Sequence, residues 1–318
     1  MSEKLPPITF THDLDERFES RRDLARAATT GEQTRVFRGV YVDSGEWQSV
    51  DDHAKYLLRI SAIVGTRRTR PVVSHWSAAA LHGLPVLGAW PTAVHTTVSP
   101  ASAGRSKNGV VVHRAKLAEE DVVEIGGVLM TSVARTIVDL ATSERFVDAV
   151  VAADRALLVD KYRKRPPMTT RLELQSALDR LLPFRAFRRA QLVVDFGEDL
   201  SGSVLESTSR VCMFMIGCPK PLLQVSYWDY LGFIGDSDFT WPTEGSLGEA
   251  DGRQKYFEPR FTAGRTAEEI FTAERERHNR FTALPRNVIR WGWKVGNSPP
   301  LLRAHLLNGG LRLGVEWK

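Results

Sequence analysis

Residues 233–256 read Phe-Ile-Gly-Asp-Ser-Asp-Phe-Thr-Trp-Pro-Thr-Glu-Gly-Ser-Leu-Gly-Glu-Ala-Asp-Gly-Arg-Gln-Lys-Tyr. Two strand-like runs, Ile234–Trp241 and Leu247–Asp251, flank a turn that is rich in Pro, Thr, Glu and Gly. Such punctuation between two short runs is typical of a hairpin loop. The stretch therefore predicts a β-hairpin whose two strands both carry carboxylates.

The register of this hairpin decides what the carboxylates can do. A turn centred between residues 243 and 244 places Asp238 opposite Glu249. The same register places Asp236 opposite Asp251, and side-chain alternation then puts all four on one sheet face. Opposed like charges destabilise a hairpin, so we expect a cation between them, and oxygen ligands suit Mg²⁺, Mn²⁺ or Ca²⁺. The alternative is a splayed, solvated hairpin whose charges never meet, and the spacing alone leaves both open.

The composition favours a polyanionic partner. The 318 residues include 43 Lys and Arg against 38 Asp and Glu, which gives a net charge of +5 and a pI near 9.3. This length allows two domains with ample core. An excess of positive charge favours polyanions, and nucleic acid is the first expectation.

The cysteines and the N-terminus bear on location. Cys212 and Cys218 match no Cys/His spacing of a zinc site, so we expect reduced, mostly buried thiols. The first residues lack the charged-then-apolar order of a signal peptide, and no apolar run reaches ~18 residues. The sequence therefore predicts a soluble cytoplasmic protein with no membrane partner.

Arginines cluster near the N-terminus on a predicted helix and the strand after it. The helix spans Ser20–Ala28, and a β-run that contains a glycine follows at Arg35–Val42. A basic helix followed by a basic strand is the order of a winged helix, which contacts the major groove and the DNA backbone. The alternative is a surface helix packed on an edge strand. The candidate DNA-binding residues are Arg21, Arg22, Arg26, Arg35 and Arg38.

Helical and strand patterns alternate through the middle of the chain, and four histidines scattered among them are interpreted as packing or surface residues. Lys161–Pro167 combines a charge run with two prolines and predicts a domain boundary. Beyond it, residues 169–194 predict two helices, the second of which is basic. The fold class expected for the whole chain is α/β, or α+β overall.

The last segment predicts a small mixed sheet. A helix over Ser201–Phe214 precedes a strand and the acidic hairpin, and a long charged helix and a short strand follow at Thr266–Leu284 and Asn287–Trp291. The order α-β-β-β-α-β gives a mixed sheet flanked by helices, with room for a site along one edge.

Carboxylates on adjacent strands could hold the metal that phosphodiester hydrolysis needs. Asp238 and Glu249 would be its ligands, with the Ala250 carbonyl as a candidate third. Glu206 could complete the shell or orient the attacking water, and Lys255 could place an ammonium on the phosphate or the water.

Two of these candidates have plainer interpretations. Glu206 can be part of a capping box that begins at Ser203, with Arg210 one turn on as an ion-pair partner. Lys255 can be an ordinary surface lysine.

The pattern of Asp238 and Glu249-Ala-Asp251-Gly252 after a helix that carries Glu206 resembles the PD-(D/E)XK nucleases. It is most similar to their branch related to very-short-patch mismatch-repair endonucleases. The resemblance runs from about Ser201 to Trp293. In this comparison Asp238 matches the lone aspartate of the motif and Glu249 its second acid, whereas Asp251 stands where the motif has its lysine. The resemblance implies a restriction-endonuclease-like fold, Mg²⁺ or Mn²⁺ as the cofactor, and DNA as the substrate.

The front half resembles AbiEi-type antitoxins and transcriptional regulators of bacteria. The resemblance rests on Arg35–Val42, on Ser74–Leu84 (Ser-His-Trp-Ser-Ala-Ala-Ala-Leu-His-Gly-Leu) and on Thr131–Leu140. It implies promoter binding through an N-terminal winged helix and a cognate toxin encoded beside the protein. The first helix of a helix-turn-helix is missing upstream of Arg21, so the winged helix is shortened here.

The two resemblances divide the chain into four segments and leave three hypotheses for its function. The predicted segments are a winged-helix-like segment (1–50), an AbiEi-like α/β domain (51–160), a basic helical linker (161–200) and a nuclease-like domain (201–318). The first hypothesis is a metal-dependent DNA endonuclease with catalytic residues Glu206, Asp238, Glu249, Asp251 and Lys255. The second is a non-catalytic antitoxin or transcriptional regulator that keeps the nuclease fold as a platform. The third is a protein-interaction module with a solvated acidic hairpin.

Overall fold

The computed structural model describes residues 5–14, 20–102, 104–160, 166–251, 267–314 and 317. The chain divides into two compact units, which consist of residues 1–152 with 169–195 and residues 153–168 with 196–318. The described residues form helices and three sheets of three, five and four strands, which confirms the predicted α+β class. The four-segment division stays a prediction. None of the described helices is both long and apolar enough to span a membrane.

The first unit begins with a short strand, a helix and a hairpin. Ser20 caps the helix and Gly31 ends it in the left-handed conformation. Leu24, Ala27 and Tyr41 form the small core beneath it. The strands lie in the order β1-β3-β2, with all neighbours antiparallel. The bounds are β1 (Thr9–Phe10), α1 (Arg21–Thr30), β2 (Gln33–Phe37) and β3 (Val40–Asp43).

A five-stranded mixed sheet forms the rest of the first unit. Its strand order is β6-β5-β4-β8-β7. The alternating helices and strands predicted for the middle of the chain are present, and α2, β4 and β7 are additional. The bounds are α2 (Ser44–Ser49), α3 (Asp52–Gly65), β4 (Val72–Val73), α4 (His75–Leu81), β5 (Val94–Val98), β6 (Val110–Arg114), β7 (Val122–Ile125), β8 (Val128–Thr131), α5 (Val133–Ser143), α6 (Phe146–Leu157), α7 (Arg171–Asp179) and α8 (Phe187–Phe196).

The second unit contains the predicted α-β-β-β-α-β order. Its sheet runs β12-β11-β10-β9, with β11 and β12 parallel and the other pairs antiparallel. The bounds are α9 (Val204–Met215), β9 (Leu222–Asp229), β10 (Gly232–Trp241), β11 (Ser246–Asp251), α10 (Ala267–Thr282), β12 (Asn287–Gly292), α11 (Trp293–Gly296) and α12 (Pro299–Asn308).

Apolar side chains cover both faces of this second-unit sheet. On one face, Phe239, Trp241 and Trp291 pack with side chains of α9 and α12. On the other face, Leu247 packs with Phe281 of α10. Gly248 is required beneath the aromatic rings, because a Cβ there would lie 2.7 Å from Trp291 and 3.0 Å from Trp241. The rings therefore fix the backbone beside Glu249.

Candidate functional site

The register of the acidic hairpin places Asp238 beside Glu249. Strands β10 and β11 pair Phe239 with Gly248, Thr240 with Leu247 and Trp241 with Ser246. This is the register predicted from a turn centred between residues 243 and 244, and its next position sets Asp238 against Glu249. Both side chains are buried, so the two carboxyl groups meet inside the protein and not in solvent.

Hydrogen bonds hold Asp238 in place and link it to Glu206. The Ala250 N–H donates to Asp238 Oδ2 over 2.8 Å, and the Gln224 amide donates to Asp238 Oδ1 over 3.3 Å. The same amide nitrogen also donates to Glu206 Oε2 over 3.1 Å. Glu206 therefore lies close to the hairpin acids, with Gln224 between it and Asp238.

Glu206 belongs to the N-terminal end of α9. Its N–H donates to the Ser203 hydroxyl, which is one half of the capping box considered above. Its carboxylate accepts from the Gly202 N–H over 2.9 Å and from Gln224. The guanidinium of Arg210 donates to Asp154. Glu206 is thus both a helix-end residue and a neighbour of the hairpin acids.

Gln224 has strained backbone geometry. It sits in a strand with φ of +50°, a left-handed conformation that non-glycine residues seldom adopt. Such strain clusters at functional sites. Gln224 lies within the Ser201–Trp293 stretch that resembles the nucleases, and the resemblance gives it no role. Pairing of Val225 with Ser237 and of Leu223 with Phe239 sets Gln224 across from Asp238.

Glu249 has a strongly perturbed carboxyl group. Burial, followed by the charge of Asp238, raises its pKa from 4.5 to about 8, against the lowering effect of Arg277. Arg277 donates to Glu249 Oε2 over 2.9 Å, while the buried Glu249 Oε1 has no hydrogen-bond partner among the described residues. A buried acceptor without a partner is costly and needs an explanation.

Arg277 reaches Glu249 from α10. It also donates to the Asp236 carbonyl over 3.0 Å, and it passes so close to Gly235 that a Cβ there would lie 2.8 Å from its Nε. In the sequence, Arg277 is one of many charged residues of the predicted long helix. One feature of the sequence could have indicated that Arg277 faces the sheet: it lies one helical turn before Phe281, which is buried against the sheet.

The remaining predicted acids have other partners. Asp236 accepts from the Ser226 hydroxyl. Asp251 is about half exposed and forms a two-bond ion pair with Arg290 of β12, with distances of 2.6 and 2.9 Å. Lys255 lies outside the described residues. The structure therefore brings Glu206, Asp238 and Glu249 together and places Asp251 at the rim, held by an arginine.

The five candidate DNA-binding arginines lie in the first unit. All are exposed on the first helix, its hairpin and the hairpin turn. Arg21 donates to the Thr11 carbonyl and Arg35 to the Phe37 carbonyl, so these two side chains also support their own segment. Exposed guanidinium groups on one small motif form a surface that can contact phosphates.

The predicted metal ligands do not form a preassembled centre. Within the described ranges, no group of three or more His, Cys, Asp or Glu side chains is arranged to hold a metal ion. The physical reason is that Gln224 lies between Glu206 and Asp238, while Arg277 occupies Oε2 of Glu249. The donor chemistry still fits a hard divalent cation, because Glu249 Oε1 is a buried oxygen that lacks a partner beside a second carboxylate.

Comparison of the sequence with models of protein families and with curated proteins gives no match. The function is therefore inferred from these side chains.

Proposed function

We propose that the protein is a metal-dependent DNA endonuclease whose active site lies between β10 and β11. One observation carries the proposal: Glu249 is buried opposite Asp238, its pKa is raised to about 8, and its Oε1 has no partner in the described part of the chain. Strongly perturbed carboxyl groups cluster at functional sites. A structural role for the pair does not explain why so costly an arrangement persists.

Asp238 and Glu249 would hold the divalent cation, with Glu206 nearby through Gln224. A bound Mg²⁺ or Mn²⁺ supplies a Lewis acid that neutralises charge on the scissile phosphate and makes water a better nucleophile. The Ala250 N–H and Gln224 fix Asp238, so its orientation does not depend on the ion. Arg277 fixes Glu249 Oε2 and leaves Oε1 for the ion.

The exposed arginines of the first unit would deliver the DNA to this site. Their phosphate contacts would add affinity without sequence information, and that affinity would fall with added salt. The positive net charge acts in the same direction. We place this activity in the cytoplasm, where the two buried free cysteines stay reduced.

The experiment is a plasmid-nicking assay with Mg²⁺, Mn²⁺ or EDTA. We expect nicking with either metal and none in EDTA. In Asp238→Asn, the Mn²⁺ concentration for half-maximal nicking should rise roughly tenfold or more, because a charged carboxylate becomes a neutral amide with a single acceptor oxygen. The matched control is Asp229→Asn, which changes a carboxylate of the same sheet that pairs with Arg280. An intact plasmid in both metals would refute the proposal.

The second candidate is a non-catalytic regulator of the antitoxin type, with a toxin encoded beside it. The observation in its favour is that Asp251, which stands at the position of the motif lysine, forms an ion pair with Arg290. Retarded migration of the protein's own upstream DNA, without nicking in either metal, would support this candidate.

The raised pKa of Glu249 predicts that metal binding depends on pH. Below pH 8 the carboxyl group is mostly protonated, so an incoming cation must displace a proton. The affinity for Mn²⁺ should therefore rise with pH, by up to about tenfold per unit, and level off near pH 8. Calorimetric titrations in buffers of different ionisation enthalpy would measure the released proton. An affinity that does not change between pH 6 and 8 would contradict this linkage.

A further inference from the structure

A cavity of about 1250 Å³ opens in the first unit, next to the five-stranded sheet. Three of its lining segments come from one end of that sheet. Pairing of Val72 with Thr97 and of Val98 with Arg114 sets the start of β4 beside the end of β5 and the end of β6. The chain before β4, after β5 and after β6 therefore meets at this cavity. Its size accommodates a small organic ligand.

The charge of the lining is strongly positive. The one carboxylate among its described residues, Asp121, is buried and already bonded to Arg180 and Arg135, at 2.6 and 3.0 Å. Arg70 pairs with Glu124. Four further lining cations have no ion-pair partner in the described part of the chain: Arg67, Arg105, Lys107 and Lys116.

Several uncompensated cations around one concavity raise the local concentration of anions. Arginine and lysine are also the side chains that bind phosphate oxygens most readily. A single monovalent anion would neutralise only a fraction of this charge. The cavity is therefore suited to a ligand with several adjacent negative charges.

The rest of the lining indicates how such a ligand would be held. Threonine and serine hydroxyls and the side chains of Val72, Val98 and Val112 complete the wall, and no described lining residue is aromatic. Binding of unstacked nucleic-acid bases relies on aromatic platforms, which this wall lacks. Recognition would thus rest on the phosphates, with apolar contacts for the remainder of a small molecule.

We propose that this cavity binds a small organic molecule that carries two or more adjacent phosphate groups. The site is separate from the hairpin acids and does not depend on the nuclease proposal.

The test is calorimetry in EDTA, with inorganic tripolyphosphate as the probe and orthophosphate for comparison. We expect tripolyphosphate to bind at least tenfold more tightly than orthophosphate. Arg67→Glu and Lys116→Glu should each weaken tripolyphosphate binding at least tenfold. The matched control is Arg68→Glu, because this neighbouring exposed arginine does not line the cavity. Asp238→Asn should bind tripolyphosphate as wild type does, which separates this site from the candidate nuclease site.

Three results would overturn the proposal. The first is equal binding of orthophosphate and tripolyphosphate, and the second is an equal loss in Arg68→Glu and Arg67→Glu. The third is a Lys116→Glu variant that binds tripolyphosphate normally but loses affinity for a short DNA duplex, since the cavity would then belong to a DNA-binding surface.

Discussion

Glu249→Gln is expected to lower metal-dependent DNA cleavage by ~100-fold or more and, in the same protein, to raise the free energy of unfolding at pH 8. Cleavage falls because the substitution replaces a charged carboxylate ligand with a neutral amide. A catalytic metal contributes several kcal/mol to the transition state, and each ~1.4 kcal/mol is a factor of ten in rate.

The gain in stability follows from the pKa of the same carboxyl group. Burial and the charge of Asp238 raise it from 4.5 to about 8. Between these values the folded protein holds a proton that the unfolded chain has released, so rising pH favours unfolding. Glutamine has no such proton and can still accept from Arg277. The advantage of the variant should grow from pH 4.5 to about 8, where we expect on the order of 4 kcal/mol.

Urea denaturation in EDTA at pH 5 and pH 8, together with nicking assays in Mn²⁺, measures both effects. Glu244→Gln is the matched control, since it makes the same substitution at the turn of the same hairpin and should change stability by less than ~0.5 kcal/mol. A Glu249→Gln protein that is no more stable than wild type at pH 8 would contradict the electrostatic account. Opposite effects on activity and stability are what a site strained for function predicts.

The hairpin shows which part of the site the sequence could predict. Alternation along a strand has a period of two residues, so once the turn was placed, the facing positions of Asp238 and Glu249 followed. The β10–β11 register confirms that step. The order of helices and strands in the second unit was predictable for the same reason, because local patterns determine both.

Gln224 and Arg277 could not be predicted in the same way. Gln224 contributes through a left-handed backbone and a side chain that bridges two acids, and neither feature leaves a periodic pattern. Arg277 donates to Glu249, which lies 28 positions earlier in the sequence, and it is one of many charged residues on α10. Partners that meet only through tertiary packing are invisible to local periodicity.

The histidines of the first unit make the same point. His75 and His113 stack with ring centroids 3.5 Å apart, and His95 Nδ1 lies 3.0 Å from His113 Nε2. Burial lowers the pKa of His95 and His113 to about 4. The sequence places these residues on three different elements, and their scattered positions gave no indication that they would form one partly buried stack.

The second large effect concerns a buried ion pair in the second unit. Arg210 donates to Asp154 Oδ2 over 2.6 Å and to the Phe196 carbonyl over 2.7 Å, and both charged side chains are almost fully buried. Asp154 Oδ1 also accepts from the Glu198 N–H. These bonds attach the end of α6 to the helix that carries Glu206. Arg210→Met would remove the positively charged partner of this ion pair.

Arg210→Met is expected to lower the free energy of unfolding by about 3–5 kcal/mol, because it leaves Asp154 buried without its cation. Burial already raises the pKa of Asp154, and Arg210 opposes that shift. Without Arg210 the pKa rises further, so the folded protein holds a proton that the unfolded chain releases as pH rises, and the loss should be larger at pH 8 than at pH 5. Urea denaturation at the two pH values measures the difference.

Two further variants separate the charge effect from a general packing defect. Arg303→Met makes the same substitution at an exposed position of α12 and should change stability by less than ~0.5 kcal/mol. Adding Asp154→Asn to Arg210→Met removes the stranded charge while its Oδ1 still accepts from Glu198. The double variant should therefore recover part of the loss and most of the pH dependence. If it is as unstable as Arg210→Met at pH 8, the methionine disturbs packing and the ion pair is not the cause.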